Sequence, residues 1–190
     1  MRDDLDARFD ELWEFSLSAY NVQGASTACL TLQDEYGLDV NVLLLCLFAG
    51  SRGRVLSTQD FVRIETQVTP WRTNIIYALR AVRRSLKTEK LSSDRVMDDL
   101  YKDVLASELK AEQYEQYLIA STVAISEGAA DVGIASQNLV RYLRTSGVPV
   151  KAESLSSLAK LLSAVMAIQV CDAAAMLHRS DIAIPENAKT

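Results

Sequence analysis

The spacing of apolar residues along the chain predicts helices. Near the N-terminus, apolar side chains recur every three or four positions, which is the repeat of one helix face. These positions are Leu5, Phe9, Leu12, Trp13, Leu17 and Tyr20. Similar spacing predicts further helices over residues 25–36, 40–49, 58–67, 71–87, 94–127, 129–145 and 154–178. We therefore expect an all-α fold, a single helical bundle of seven or eight helices, with short helices in the first half and three long helices in the second.

Polar residues and glycines at the ends of these segments support the boundaries. Gly37 fits the left-handed position that ends a helix, and Asp39 then fits the N-cap of the segment 40–49. That segment is apolar on nearly all sides, so we expect it at the centre of the fold. Residues 57–60 resemble a capping box, and Thr69–Pro70 predicts the start of a new helix.

The length of 190 residues indicates one domain. We assign residues 1–179 to a single helical domain, with the polar stretch 88–93 as the candidate point of subdivision. Residues 180–190 contain Pro185 and are expected to form a flexible tail.

Composition excludes several kinds of site. His178 is the single histidine, so neither a histidine-rich zinc site nor a paired Glu-x-x-His di-iron site can form. Cys29, Cys46 and Cys171 lie far apart in apolar surroundings, which disfavours structural zinc and indicates a reducing compartment. We therefore predict no metal and no cofactor.

The chain shows no feature that predicts insertion into a membrane. Its most apolar run, residues 40–49, is about half the roughly 20 residues that a membrane span needs. Residues 1–6 have neither the basic nor the apolar region of a signal peptide. These observations predict a cytoplasmic protein.

A basic stripe dominates the segment 70–90, which carries a net charge of +5 although the whole chain carries −5. Its candidate binding residues are Arg72, Arg80, Arg83, Arg84 and Lys87. One interpretation is a face that binds an anion or an acidic protein partner. The other is internal pairing with acidic residues of the next predicted helix, among them Glu108, Glu112 and Glu115. The negative net charge argues against nucleic acid.

A polar cluster surrounds the predicted junction at residues 33–41. Asp34, Asp39 and Asn41 could hold a cation such as magnesium, because carboxylate and amide oxygens are hard ligands. Alternatively, Asp39 caps a helix and the cluster is a buried polar network. Asp34 lies near a helix C-terminus, where a carboxylate is unfavourable unless paired, so we expect an arginine partner for it.

Two further features have a structural and a functional interpretation. Trp13 and Trp71 are expected to be core anchors, or else the aromatic wall of a ligand pocket in which Arg72 holds the ligand. Residues 155–177 are expected to form a core helix, with a homodimer interface as the alternative.

Several short motifs resemble an uncharacterised family of small bacterial proteins, mostly from proteobacteria. They are Trp13-x-Phe15-Ser16-Leu17, Leu32-Gln33-Asp34, Gly37-Leu38-Asp39-Val40-Asn41, Trp71-Arg72, Leu79-Arg80 and Arg83-Arg84. The resemblance covers residues 9–118. It implies a bacterial cytoplasmic protein and brings no known activity, so no catalytic residue follows from it.

The sequence favours a non-enzymatic interaction or adaptor protein that presents an arginine-rich helix face or groove to an unidentified protein partner. The alternative is an all-α ligand binder or enzyme that acts on a phosphorylated or diphosphate compound with magnesium. A second alternative is nucleic-acid binding through residues 72–90.

Overall fold

A computed structural model describes residues 2–89 and 95–184, and within these ranges the chain is helical and contains no strand. The helices are α1 (Arg2–Tyr20), α2 (Ala25–Tyr36), α3 (Val40–Ser51), α4 (Thr58–Trp71), a π-helical segment (Arg72–Ile76), α5 (Tyr77–Glu89), α6 (Arg95–Thr122), α7 (Val132–Thr145), α8 (Ala152–Met166) and α9 (Val170–Ala183). Because α4, the π segment and α5 are continuous, the described residues form eight separate helices. The predicted all-α fold is confirmed.

Helix α3 occupies the centre of the fold, as its apolar sequence predicts. Its residues from Asn41 to Gly50 are all buried. The helix packs along α7 and also contacts α1, α2, α6 and α8. The close approach to α7 depends on Gly50, because a Cβ atom added there would lie 2.4 Å from the Cβ of Ala135.

Local capping signals gave the correct boundaries at the end of α2 and at the starts of α3 and α4. Gly37 ends α2 with a φ of 68°, in the left-handed region. Asp39 caps α3 through its side chain, which accepts a hydrogen bond from the backbone N–H of Val42. Ser57 and Asp60 form a reciprocal capping box at the start of α4.

The helix boundary predicted at Thr69–Pro70 is wrong. Helix α4 continues through Pro70 to Trp71, and the chain then widens into the π segment, in which the N–H of Tyr77 donates to the carbonyl of Arg72. Proline removes one helical hydrogen bond, and a π-helical turn shifts the bonding register that follows. Trp71 fixes this end of α4 against α6, because its indole N–H donates to the Ala111 carbonyl of α6 at 2.9 Å.

The sixth and seventh helices are also shorter than predicted. Helix α6 ends at Thr122, and no helix forms from residue 123 to 131. This segment binds the C-terminal end of α3 instead, since the N–H of Asp131 donates to the Gly50 carbonyl at 2.9 Å. A Cβ atom on Gly128 would lie 2.3 Å from the Arg52 carbonyl oxygen. The backbone at Gly128 therefore packs directly against the backbone at Arg52 instead of forming a helix.

The last predicted helix is two helices. Ala167 adopts a left-handed conformation with a φ of 54°, and α8 and α9 meet at a bend of 120°. A homodimer interface formed by one continuous helix over residues 155–177 is therefore not available, although a dimer through the two shorter helices stays a prediction. Among the described residues no single helix is long and apolar enough to cross a membrane; the bent pair α8–α9 passes that test only when its two helices are taken together.

Helix α9 extends past residue 179, where the sequence placed the start of the tail. It ends at Ala183, and the Arg144 guanidinium of α7 holds this end by binding the Asp181 side chain and the Ile184 carbonyl. Residues 185–190 of the predicted tail, and most of the predicted subdivision at 88–93, lie outside the described residues. Cys171, expected in apolar surroundings, is exposed on α9, whereas Cys29 and Cys46 are buried.

We predict that Gly50→Ala lowers the free energy of unfolding by about 1–3 kcal/mol, because overpacking forces α3 and α7 apart. Urea denaturation followed by circular dichroism measures the change. Gly133→Ala on α7 is the matched control, since its added Cβ meets only the Asp131 side-chain oxygen, at 3.1 Å. Equal stability of the two variants would contradict the account of the α3–α7 contact.

Candidate functional site

A cavity of about 890 Å³ lies between α1, α2 and α3 on one side and the π segment, α5 and α6 on the other. Its rim consists of large apolar side chains that are each between 42% and 49% exposed: Leu17, Leu30, Tyr77, Leu105 and Leu109. Its inner surface carries buried ionic and amide side chains. Eight of the ten residues singled out from the sequence line this cavity: Trp13, Asp34, Asp39, Asn41, Arg72, Arg80, Arg83 and Arg84. Trp71 and Lys87 do not.

Arg72 is the centre of the inner surface. Its Nε atom lies 2.5 Å from Asp39 Oδ2 and 3.0 Å from Glu115 Oε1, and its Nη1 atom lies 3.0 Å from Glu65 Oε2. The Arg72 side chain is only 12% exposed. Burial alone would lower the pKa of Arg72, but the three carboxylates outweigh it and raise that pKa. The Arg72 guanidinium thus pairs with three acidic side chains, which lie at the N-cap of α3, on α4 and on α6.

A chain of amide hydrogen bonds extends this Arg72 network. Asn41 Nδ2 donates to Glu115 Oε2 at 2.7 Å, and Gln116 Nε2 donates to Asn41 Oδ1 at 2.9 Å. The far end of the chain, Gln116 Oε1, is buried and has no hydrogen-bond partner, and Ser16 Oγ, which also belongs to a lining residue, has none either. On the opposite side, the backbone N–H of Asp39 donates to the Tyr142 hydroxyl at 2.9 Å.

The acidic side chains of this network exceed its positive charge. The pKa of Glu115 is raised to about 8, first by burial and then by the nearby charge of Asp39, against the opposing effect of Arg72. Glu115 therefore carries a proton over much of the neutral pH range. Burial is also the main cause that raises the pKa of Glu112, one turn before it on α6.

A second group of ion pairs, the Arg80 cluster, lies beside the first. Arg80 donates to Glu108 Oε1 at 3.1 Å and to Glu112 Oε1 at 2.9 Å, and Arg83 Nε donates to Glu108 Oε2 at 2.5 Å. Burial acts to raise the pKa of Glu108, but its bonds from the two arginines outweigh burial and lower that pKa. The internal pairing that the sequence offered as one alternative for Arg80 and Arg83 is thus present.

The outer residues of the basic stripe are more exposed. Arg84 pairs with Asp34 at 3.2 Å, as the position of Asp34 at a helix end predicted, but both side chains are more than half exposed. Such surface pairs contribute little to stability. Lys87 is exposed on α5 and forms no ion pair within residues 4–88 and 95–184.

The cavity does not resemble a magnesium site. Asp39 forms an ion pair with Arg72 and caps α3, and Asp34 forms an ion pair with Arg84. Within the described part of the chain no three acidic, cysteine or histidine side chains are grouped as metal ligands. The cation hypothesis for Asp34, Asp39 and Asn41 therefore gains no support from the geometry.

The apolar side chains of α6 do not mark its buried face. Helical spacing alone would bury Leu100, Leu109 and Tyr114, yet these side chains are 45–49% exposed. The buried face instead carries Glu108, Ala111, Glu115, Gln116, Ile119 and Ala120. The signal was the spacing of the three glutamates, including Glu112, on one side of α6, which matches the arginines of the preceding helix.

We predict that Arg72→Met lowers the free energy of unfolding by about 3–5 kcal/mol near pH 8.5, because it leaves buried carboxylates without their cation. The loss should be smaller at pH 5.5. Glu115 has a raised pKa, so its stabilising protonation is fully present below about pH 4.5 and is lost as pH rises through about 8.

Urea denaturation at the two pH values measures both effects. Arg95→Met is the control, because Arg95 forms only an exposed pair with Asp99 at 3.8 Å, and we expect little change from it. A loss from Arg72→Met that matches this control, or that does not depend on pH, would show that Arg72 does not hold the network.

The part of the chain that builds the cavity also carries the likeness to known proteins. Neither a curated protein nor a solved structure matches the chain. Residues 11–119 match the family described as "Protein of unknown function (DUF2390)", and all residues that line the cavity fall within this range. Because the match spans more than half of the 190 residues, the chain belongs to this uncharacterised family, DUF2390.

Proposed function

We propose that the protein binds a small organic molecule in the cavity between α1–α3 and α5–α6. The observation that carries the proposal is the cavity itself, about 890 Å³ with an apolar rim and a buried ionic interior. Binding pockets for small molecules are commonly about 300–1,000 Å³, mostly apolar, with a few fixed polar groups that orient the ligand.

The rim supports an occupant with an apolar body. Leu17 and Leu30 come from α1 and α2, whereas Tyr77, Leu105 and Leu109 come from α5 and α6. Side chains of this kind gain about 1.5–3 kcal/mol each when fully buried. A ligand that contacts both sides would remove this apolar surface from water.

The charged side chains of the interior are suited to orienting that ligand. They are not suited to holding magnesium for a reaction on it. Most of its charged side chains are already held by other side chains, which fixes them without a ligand. Fixed polar groups of this kind discriminate between ligands because no reorganisation is needed when the ligand enters.

The adaptor hypothesis stays a prediction, and so does nucleic-acid binding. Because Arg72, Arg80 and Arg83 are paired internally, the arginine-rich face offers fewer free cations than the sequence indicates. A protein partner would find exposed apolar side chains such as Val82 and Leu100 on the α5–α6 pair instead.

We predict that Ala81→Trp abolishes binding of a neutral apolar probe, N-pentyl dansylamide, to the cavity. Ala81 is exposed and lines the cavity, so an indole there fills space without disturbing the core. Dansyl fluorescence in a titration with purified protein measures the binding. The control is Val82→Trp, because Val82 is exposed on the same helix but does not line the cavity.

The wild type and Val82→Trp should bind the probe alike, whereas Ala81→Trp should not. If the wild type binds no probe, or if both tryptophan variants bind as the wild type does, the cavity is not a ligand site.

A further inference from the structure

The charges around the cavity do not balance. Five carboxylates line it and four guanidiniums face them. The acids are Asp34, Asp39, Glu108, Glu112 and Glu115, and the cations are Arg72, Arg80, Arg83 and Arg84. Arg72 is additionally shared with Glu65, which lies outside the cavity lining. Even when Glu115 is protonated, the four guanidiniums face the other four lining acids and Glu65 as well, so the site is short of positive charge.

Among the described residues, Glu112 has one carboxylate oxygen that accepts no hydrogen bond. The other oxygen accepts from Arg80 at 2.9 Å. Its side chain is 30% exposed, so a molecule in the cavity can reach it. The raised pKa of Glu112, caused first by burial, agrees with a carboxylate whose charge is incompletely matched.

A second, independent feature lies one helical turn away on α6. Gln116 lines the cavity, is 1% exposed, and has a carbonyl oxygen without a hydrogen-bond donor. Asn41 Nδ2 donates to Glu115 and Gln116 Nε2 donates to Asn41, and this arrangement leaves the Gln116 carbonyl oxygen as an acceptor without a donor. A buried acceptor without a donor is unfavourable, and a ligand N–H would satisfy it.

The kind of cation follows from the surroundings. The described residues contain no group of three metal-type ligands, which disfavours a metal ion. The rim is apolar, and an ammonium group offers three N–H donors to acceptors such as Glu112 and Gln116. We propose, building on the function proposed above, that the ligand is an organic amine: a positively charged ammonium group on an apolar body.

A fluorescent series with one dansyl group and one chain tests the proposal. Dansylcadaverine ends in an ammonium group, N-pentyl dansylamide is neutral, and dansyl-6-aminohexanoate ends in a carboxylate. We expect the ammonium probe to bind about tenfold more tightly than the neutral one, as one charge-assisted hydrogen bond allows. The carboxylate probe should bind more weakly than both.

Two variants test whether Glu112 causes the preference for the ammonium probe. Glu112→Gln keeps the side-chain shape and should reduce the ammonium preference to near unity. Glu35→Gln removes one exposed acid from α2 that does not line the cavity, and should leave the preference unchanged. If circular dichroism shows that Glu112→Gln does not fold, the wild type still tests the proposal. Added salt should weaken its binding of the ammonium probe more than its binding of the neutral probe.

Each result decides a separate question. If the neutral probe binds as tightly as the ammonium probe and Ala81→Trp blocks both, the cavity is a ligand site but the amine proposal is wrong. A preference for the carboxylate probe, or an ammonium preference that survives in Glu112→Gln, also overturns the amine proposal. If no probe binds to the wild type, both proposals fail.

Discussion

The buried guanidinium of Arg72 is the interaction on which the site depends. It joins the N-cap of α3 through Asp39, the C-terminal part of α6 through Glu115 and the middle of α4 through Glu65. Buried charges are unfavourable unless they are paired and hydrogen-bonded. Three helices are therefore held in one arrangement, and the wall of the cavity consists of the side chains that this arrangement leaves facing inward.

The same constraint explains why the cavity is acidic. Burial and then the nearby charge of Asp39 outweigh the effect of Arg72, so the pKa of Glu115 is raised to about 8. The Arg80 cluster repeats the pattern, since Glu108 takes bonds from two arginines and leaves Glu112 with one. The arginines that line the cavity are thus paired with acidic side chains, and these residues all lie within the range shared with DUF2390.

The sequence predicted what local chemistry decides. The left-handed Gly37 and the cap at Asp39 depend on neighbouring residues, so they were correct. The helix continues through Pro70 beside the contact of Trp71 with Ala111, forty residues away, and the break at Ala167 falls on a residue that rarely adopts a left-handed conformation, so neither was foreseen. The site was predicted as a set of residues, but its cavity and the burial of Glu115 required the packing of α6, which an amphipathic pattern alone misassigned.

The pKa of Glu115 tests the central claim most directly, because that claim is that burial and the charge of Asp39 together outweigh Arg72 at this site. The carboxyl carbon resonance of ¹³C-labelled protein, assigned by comparison with Glu115→Gln, can be followed from acid to alkaline pH. The account predicts a midpoint at about 8. A midpoint near the ordinary value of 4.5 would show that Arg72 offsets both burial and the charge of Asp39, which would contradict the account.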